Sequence, residues 1–184
     1  MARSLRPYGP GTARFSTCKT WRYALTRDLT AQPHPTPRRG ILLSIGLNPS
    51  TATDDDDDPT IHKESGFAVD WGHALYLKYN AYAYRATLPK DMFAARKRGV
   101  DIVGPDNDRS ILEAVHRIRH EGGLVLAAWG KHIEPDRQQV LGALLREFQV
   151  VCVDTNKDGS PSHPLYKSAD YIRPWRCPTL PVPL

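Results

Sequence analysis

Residues 40–50 read Gly40-Ile41-Leu42-Leu43-Ser44-Ile45-Gly46-Leu47-Asn48-Pro49-Ser50. Ile41, Leu42, Leu43 and Ile45 make a short apolar run that stops at a Gly and a Pro. A buried strand over 41–46 that ends in a tight turn has this pattern. Gly46 allows the backbone to turn sharply, and Pro49 fixes its own φ and removes one N–H. Asn48 then stands at the carboxyl end of a strand, where open α/β sheets hold their ligands. An ordinary turn, with Asn48 bonding its own backbone, reads equally well from this stretch alone.

Working outward, Trp21 to Leu25 alternates enough for an edge strand, and three prolines make 31–39 a surface loop. Asp58 before Pro59 reads as an N-cap and first turn, starting a helix over about 59–72 with Ile61, Ser65, Ala68 and Phe67 turned inward. Leu75 to Tyr84 is a second strand with Asn80 in it, followed by an Arg85-Ala86-Thr87 turn and a short basic helix from Pro89 to about Gly99. Pro105 to His120 carries Ile111, Leu112, Val115 and Ile118 at helical spacing, with Asp106 or Asn107 as cap and Gly122-Gly123 as stop. A third strand runs over 124–130, a helix over 138–148 and a fourth strand over 150–153. A loop through His163 leads to a short last helix and a Pro-rich tail.

Strands alternating with helices predict a three-layer α/β/α domain around a mainly parallel sheet of about four strands. The domain is expected over residues 21–175, after an N-terminal arm over 1–20 and before a tail over 176–184. In that architecture Asn48, Asn80, Gly130 and His163 each end or follow a strand, so they converge on one cleft.

At 184 residues, with 40% hydrophobic and 24% charged, the composition suits one soluble globular domain. No run approaches the roughly 20 apolar residues of a membrane span, and Met1 to Pro7 has no apolar signal-peptide core. Cys18, Cys152 and Cys177 are far apart and form no CxxC pair, so neither a zinc site nor a disulfide framework is expected, and a reducing cytoplasm is the default. The net charge of +5, with basic residues concentrated over 90–98 and 109–119, suits a polyanionic partner or two solvated helix faces. The run Asp54 to Asp58 is either a solvated loop with a helix cap or a hard-cation site, with Asp57 and Asp58 as its candidate ligands.

These residues, in this order, resemble the uracil-DNA glycosylase superfamily. Gly46-Leu47-Asn48-Pro49 is similar to that superfamily's first motif, in the Asn-bearing version of the mismatch-specific thymine/uracil glycosylases. Tyr79-Asn80, the Arg85 turn, the strand ending in Trp129-Gly130 and the His163-Pro164 loop are similar to its later motifs. The chain looks closer still to a bacterial and phage family with Gly-Leu-Asn-Pro-Ser, Tyr-Arg-Ala-Thr, Ala-Trp-Gly and His-Pro-Leu-Tyr motifs, all present between residues 46 and 166. The resemblance departs at Asn48, where classical uracil-DNA glycosylases carry Asp, and at Leu165-Tyr166, which replaces a Ser and a DNA-inserting Leu. It implies a glycosylase-like fold and hydrolysis of the N-glycosidic bond of a damaged, mismatched or modified base in DNA.

On that reading Asn48 holds the attacking water and His163 donates to the base oxygen. Gly46, Leu47, Pro49, Ser50, Asn80, Arg85, Trp129 and Pro164 line the substrate, with Asn80 reading the base edge. Phe67 stacks on the base, with Trp71 as the second choice. No cofactor is expected, since the cysteines of the iron–sulfur branch are absent; DNA is the expected partner and a monomer the expected state. Two alternatives stay open: a hydrolase of a free nucleoside or nucleotide, and a nucleic-acid-binding module without chemistry.

Overall fold

The computed structural model describes residues 7–178. Seven strands form one sheet in the order β1-β2-β4-β3-β5-β6-β7. They are β1 (Gly11–Phe15), β2 (Arg22–Asp28), β3 (Ile41–Gly46), β4 (Leu75–Asn80), β5 (Gly123–Ala127), β6 (Val150–Cys152) and β7 (Arg173–Pro174). The helices are α1 (Pro59–Asp70), α2 (Pro89–Lys97), α3 (Asn107–Glu121) and α4 (Pro135–Leu145). The expected α/β class therefore holds, and β3 to β6 occupy the four places expected of the parallel strands.

All six residues of β3 are buried. The reason is its position: β4 and β5 flank it in parallel register, and helices cover both faces. Leu42 packs with Tyr76, Leu126 and the α1 residues Ile61, Phe67 and Ala68. Leu43 and Ile45 pack with residues of α2, α3 and α4 on the other face, among them Met92, Val115 and Leu141. The chain leaving β3 thus runs to one face, while the chains leaving its neighbours β4 and β5 run to the other. Such a divergence opens a crevice at the carboxyl ends of the strands.

Two expectations about the sheet's borders fail. Half of its six pairings are antiparallel, because β1 and β2 add to the edge at β4, and β7 adds to β6. Gly11 to Phe15 is therefore a strand of the domain, not part of a loose arm; its alternating exposure is that of an edge strand. Arg173-Pro174 is likewise a strand, and Pro174 is tolerated there because the position is an edge. Most of the expected tail, from residue 179 onward, lies outside the described residues.

Strand β4 is shorter than the aromatic run predicted. It stops at Asn80 because the next residues pair with the first loop: Ala81 donates to Gly46 O and Tyr82 to Leu47 O. The carbonyls at this strand end are held by two long-range side chains. Asn107 Nδ2 reaches Asn80 O at 3.0 Å, and Arg137 Nε reaches Ala81 O at 2.7 Å. The arginines of α3 are paired on the helix surface, Arg109 with Glu113, Arg117 with Glu121 and Arg119 with Glu147. That basic run is a solvated face.

Candidate functional site

The crevice above β3 is a cavity of about 580 Å³. Gly46, Leu47, Asn48 and Ser50 line it from the loop after β3, Lys78 and Asn80 from β4, and Trp129 and Gly130 from the turn after β5. Asp58, Pro59, Thr60 and Ile61 close it from the start of α1, and His163 from the last loop. Asn48, Asn80 and His163, expected to share one site from their positions after strands, do so.

Asn48 is held by its amide nitrogen, which donates to Ala86 O at 2.7 Å and Pro49 O at 3.1 Å. Two carbonyl neighbours require the NH₂ there, so Oδ1 is left as a free acceptor. Asn80 is 2% exposed, and neither its Oδ1 nor its Nδ2 has a hydrogen-bond partner among the described residues. The adjacent strand backbone does not hold this amide; Asn107 and Arg137 serve the carbonyls of the strand end. A buried carboxamide with both ends empty is costly, and native proteins rarely keep one without a ligand or water to meet it.

Beneath Asn80 lies an ionic network that sequence reasoning missed. Lys78 Nζ donates to both carboxylate oxygens of Glu64, at 2.8 and 2.9 Å, and to Ser44 Oγ at 3.1 Å. Tyr76 OH donates to Glu64 Oε2 at 2.5 Å, and burial beside that carboxylate pushes the phenol pKa well up. The one signal was a lysine placed between Leu77 and Tyr79 in an otherwise apolar strand. A Cβ on Gly46 would stand 2.7 Å from Lys78 Nζ and 3.0 Å from Asn80 Oδ1. Gly46 is thus needed for close approach; it is the last residue of β3, and its φ is not positive, so the turn does not require a glycine there. The ammonium beside Oδ1 favours the oxygen on its side and turns the NH₂ away.

His163 stands at the mouth, exposed, at the start of a single 3-10 turn over Pro164–Tyr166. Its Nδ1 accepts a long hydrogen bond, 3.4 Å, from Leu165 N–H. In the neutral ring the proton then sits on Nε2, leaving a donor. Although the residue is exposed, the walls around the ring push its pKa below the usual value; Glu64 pulls it up and Lys78 pushes it further down. The ring is accordingly neutral at pH 7. Asn156 clamps the loop behind it, bonding Ser160 Oγ at 2.9 Å and accepting from Ser162.

Four expected contacts are not made. Phe67 is buried on the inner face of α1, stacked on Trp71 at 5.4 Å, and does not line the cavity. Trp71 is turned to the same core and donates to Ala169 O. A helix has one inward face, and both rings are spent filling it. Arg85 lies over the Phe15 ring and donates to Lys19 O, outside the cavity. Pro49 and Pro164 are buried framework beside the cavity, absent from its lining. Trp129 does line it, T-shaped against Trp175 and donating to Gln138.

The aspartate run divides into different roles. Asp58 Oδ1 accepts from Thr60 N and Ile61 N, each at 2.9 Å, as the N-cap the sequence suggests. Asp57 Oδ1 takes two hydrogen bonds from Arg27, at 2.7 and 3.0 Å, in a buried ion pair. Burial pushes the Asp57 carboxyl pKa up, against the pull of Arg27. Both candidate metal ligands thus give their Oδ1 to protein groups, while Asp57 Oδ2 is buried with no hydrogen-bond partner among the described residues. Arg22, also unforeseen as a site residue, lines the cavity while 1% exposed.

A family model described as a protein of unknown function, DUF1643, matches residues 22–165, so the chain belongs to that family. No curated protein and no solved structure matches it.

Proposed function

We propose that this cavity holds a nucleotide with its base edge on Asn80 and hydrolyses the N-glycosidic bond, in the manner of a uracil-DNA glycosylase-like fold. The observation that carries the reading is the unpartnered Asn80 amide, buried in the same cavity as Asn48 and His163. The proposed substrate is DNA with a damaged, mismatched or modified base turned out of the stack.

Cleavage builds positive charge on the sugar and negative charge on the departing base. Asn48 Oδ1 accepts a hydrogen bond from a water and aims its lone pair at C1′. The C1′–N bond breaks, its electron pair leaves with the base, water oxygen bonds C1′, and the proton that the water loses passes to the departing base anion. The Nε2–H of His163 donates to the base oxygen where charge accumulates. With Phe67 in the core, Trp129 and His132 are the other rings among the lining residues, and they support the base face.

Gly46→Ala is expected to lower the melting temperature, since its methyl group meets the Lys78 ammonium, which is buried in its bonds to Glu64 and Ser44. The same methyl group displaces the Asn80 amide and weakens nucleoside binding by about tenfold, the worth of roughly one hydrogen bond. A binding isotherm beside a melting curve checks this; unchanged affinity would separate Gly46 from the reading edge.

The deciding experiment is a screen for alkali-labile sites in oligonucleotides carrying uracil, hypoxanthine, a T·G mismatch or a hypermodified pyrimidine. Strand cleavage after alkali supports the DNA reading. Base release only from free nucleotides favours the second reading, which the buried Arg22 in the cavity wall recommends. Binding in a gel shift with no base release leaves an inert binding module. With an active substrate in hand, EDTA is expected to leave the rate unchanged, because Asp57 and Asp58 serve Arg27 and the α1 N-terminus. Loss on chelation, restored by Mg²⁺ or Mn²⁺, would reassign the run to a cation.

A further inference from the structure

Arg22 is a buried cation without a carboxylate in contact. Its guanidinium makes one hydrogen bond among the described residues, from Nη1 to Ala52 O at 2.7 Å. Its Nε is buried with no hydrogen-bond partner among the described residues. Desolvation brings its pKa down to about 10, with Asp58 the largest charge opposing the fall. A guanidinium offers five donors in a planar fork. Leaving most of them empty while burying the charge is costly, and native proteins repay that cost with an ion or an acceptor.

The other buried cations are fully served. Lys78 has Glu64 and Ser44, Arg27 has Asp57 and two carbonyls, and Arg137 has Asp108 and Ala81 O. Arg22 alone among these lines the cavity with donors to spare. Asp58 shares that wall, but its Oδ1 is bonded to the first amides of α1, and no ion pair joins it to Arg22. Lys131, on the same cavity, makes no ion pair or hydrogen bond among the described residues. The cavity therefore presents a fork and a second cation to whatever enters.

We propose that Arg22 is the anchor of an anion subsite that takes a phosphate group of the bound nucleotide, gripped by the open side of its guanidinium fork. This rests on the nucleotide reading of the cavity for its choice of ligand. Phosphate matches the fork bidentately, and a base or sugar hydroxyl does not. The depth of Arg22 favours the terminal phosphate of a free nucleotide over a diester that must continue in both directions.

The test compares binding of 2′-deoxyuridine, its 5′-monophosphate, inorganic phosphate and a uracil-bearing oligonucleotide to wild type and Arg22→Met at one ionic strength. Wild type is expected to prefer the monophosphate over the nucleoside by roughly 10- to 100-fold, the range for charge-assisted hydrogen bonds. Arg22→Met is expected to erase that preference and keep nucleoside affinity. Equal wild-type affinity for nucleoside and monophosphate overturns the proposal, and so does a preference that survives in Arg22→Met. A drop confined to the oligonucleotide overturns the monophosphate subsite and gives Arg22 a strand phosphate instead. Inorganic phosphate that binds wild type but not Arg22→Met, with no nucleoside bound by either, keeps the subsite and removes the glycosidic reading. If Arg22→Met does not fold, competition on wild type decides: phosphate that fails to displace the monophosphate overturns the subsite.

Discussion

His163→Ala is expected to lower turnover roughly 10²–10³-fold, the usual cost of removing one donor from a developing oxyanion. The fold should survive, because the ring stands exposed and makes only the long contact to Leu165 N–H. The loop is braced from elsewhere, by Asn156 and by the pairing of Lys167 with Asp154 at 2.9 Å. A pH profile sharpens the expectation. Desolvation by the walls around the ring lowers the His163 pKa from the ordinary histidine value of 6.5. An inflection of the wild-type rate due to His163 should therefore fall on the acid side of that value and vanish in His163→Ala. The linkage has the same sign. The unfolded chain takes up the proton first as pH falls, so stability due to the neutral ring is complete above the unfolded pKa and is lost as pH falls through the folded one. The measurement is single-turnover base release by wild type and a variant matched by circular dichroism. Near-normal rates in the folded variant would remove His163 from the chemistry.

What could be read from the chain alone followed the range of each signal. The β3 run, the Asp58-Pro59 start of α1 and the Gly122 stop of α3 are written in adjacent residues, and all three hold. The convergence of Asn48, Asn80 and His163 needed only the rule that loops after parallel strands share an edge. β1 and β7 could not be read that way. Each exists because a distant strand offers it an edge, and their Gly, Pro and Arg content speaks locally for coil. Phe67 shows a different limit: helical spacing says that a face is inward, but not whether it meets core or cavity. Charges hidden in strands were the largest omission. Arg22 and Lys78 look locally like solvated residues, and only the packing of α1 and the first loop over the sheet encloses them. Glu64 is legible as a partner only once Lys78 is seen beneath it.

Asn80→Asp should have the larger effect, because it changes what the buried edge can say. A uracil-type edge presents an acceptor at O4 beside a donor at N3–H. The carboxamide answers both, NH₂ to O4 and oxygen to N3–H. A cytosine-type edge reverses the two, so Asn80 would have to flip. No backbone group prevents that flip, since both amide atoms are without partners. Lys78 opposes it instead: its ammonium and Asn80 Oδ1 crowd the same point above Gly46, and a flipped NH₂ would face that charge. Selectivity for a uracil-type base thus depends on Lys78 as well as on Asn80. In Asn80→Asp the same ammonium keeps the new carboxylate ionised, so O4 meets a second acceptor and the uracil-type base is lost. A site built for one hydrogen-bonding edge rejects a mismatched one by up to about 10⁴-fold. The carboxylate can accept from N4 of cytosine, and a weak cytosine activity is the expected gain. Both proteins are to be assayed on matched uracil and cytosine oligonucleotides, or on the free nucleotides if those prove to be the substrate. An Asp variant that keeps the wild-type preference would show that another group reads the base.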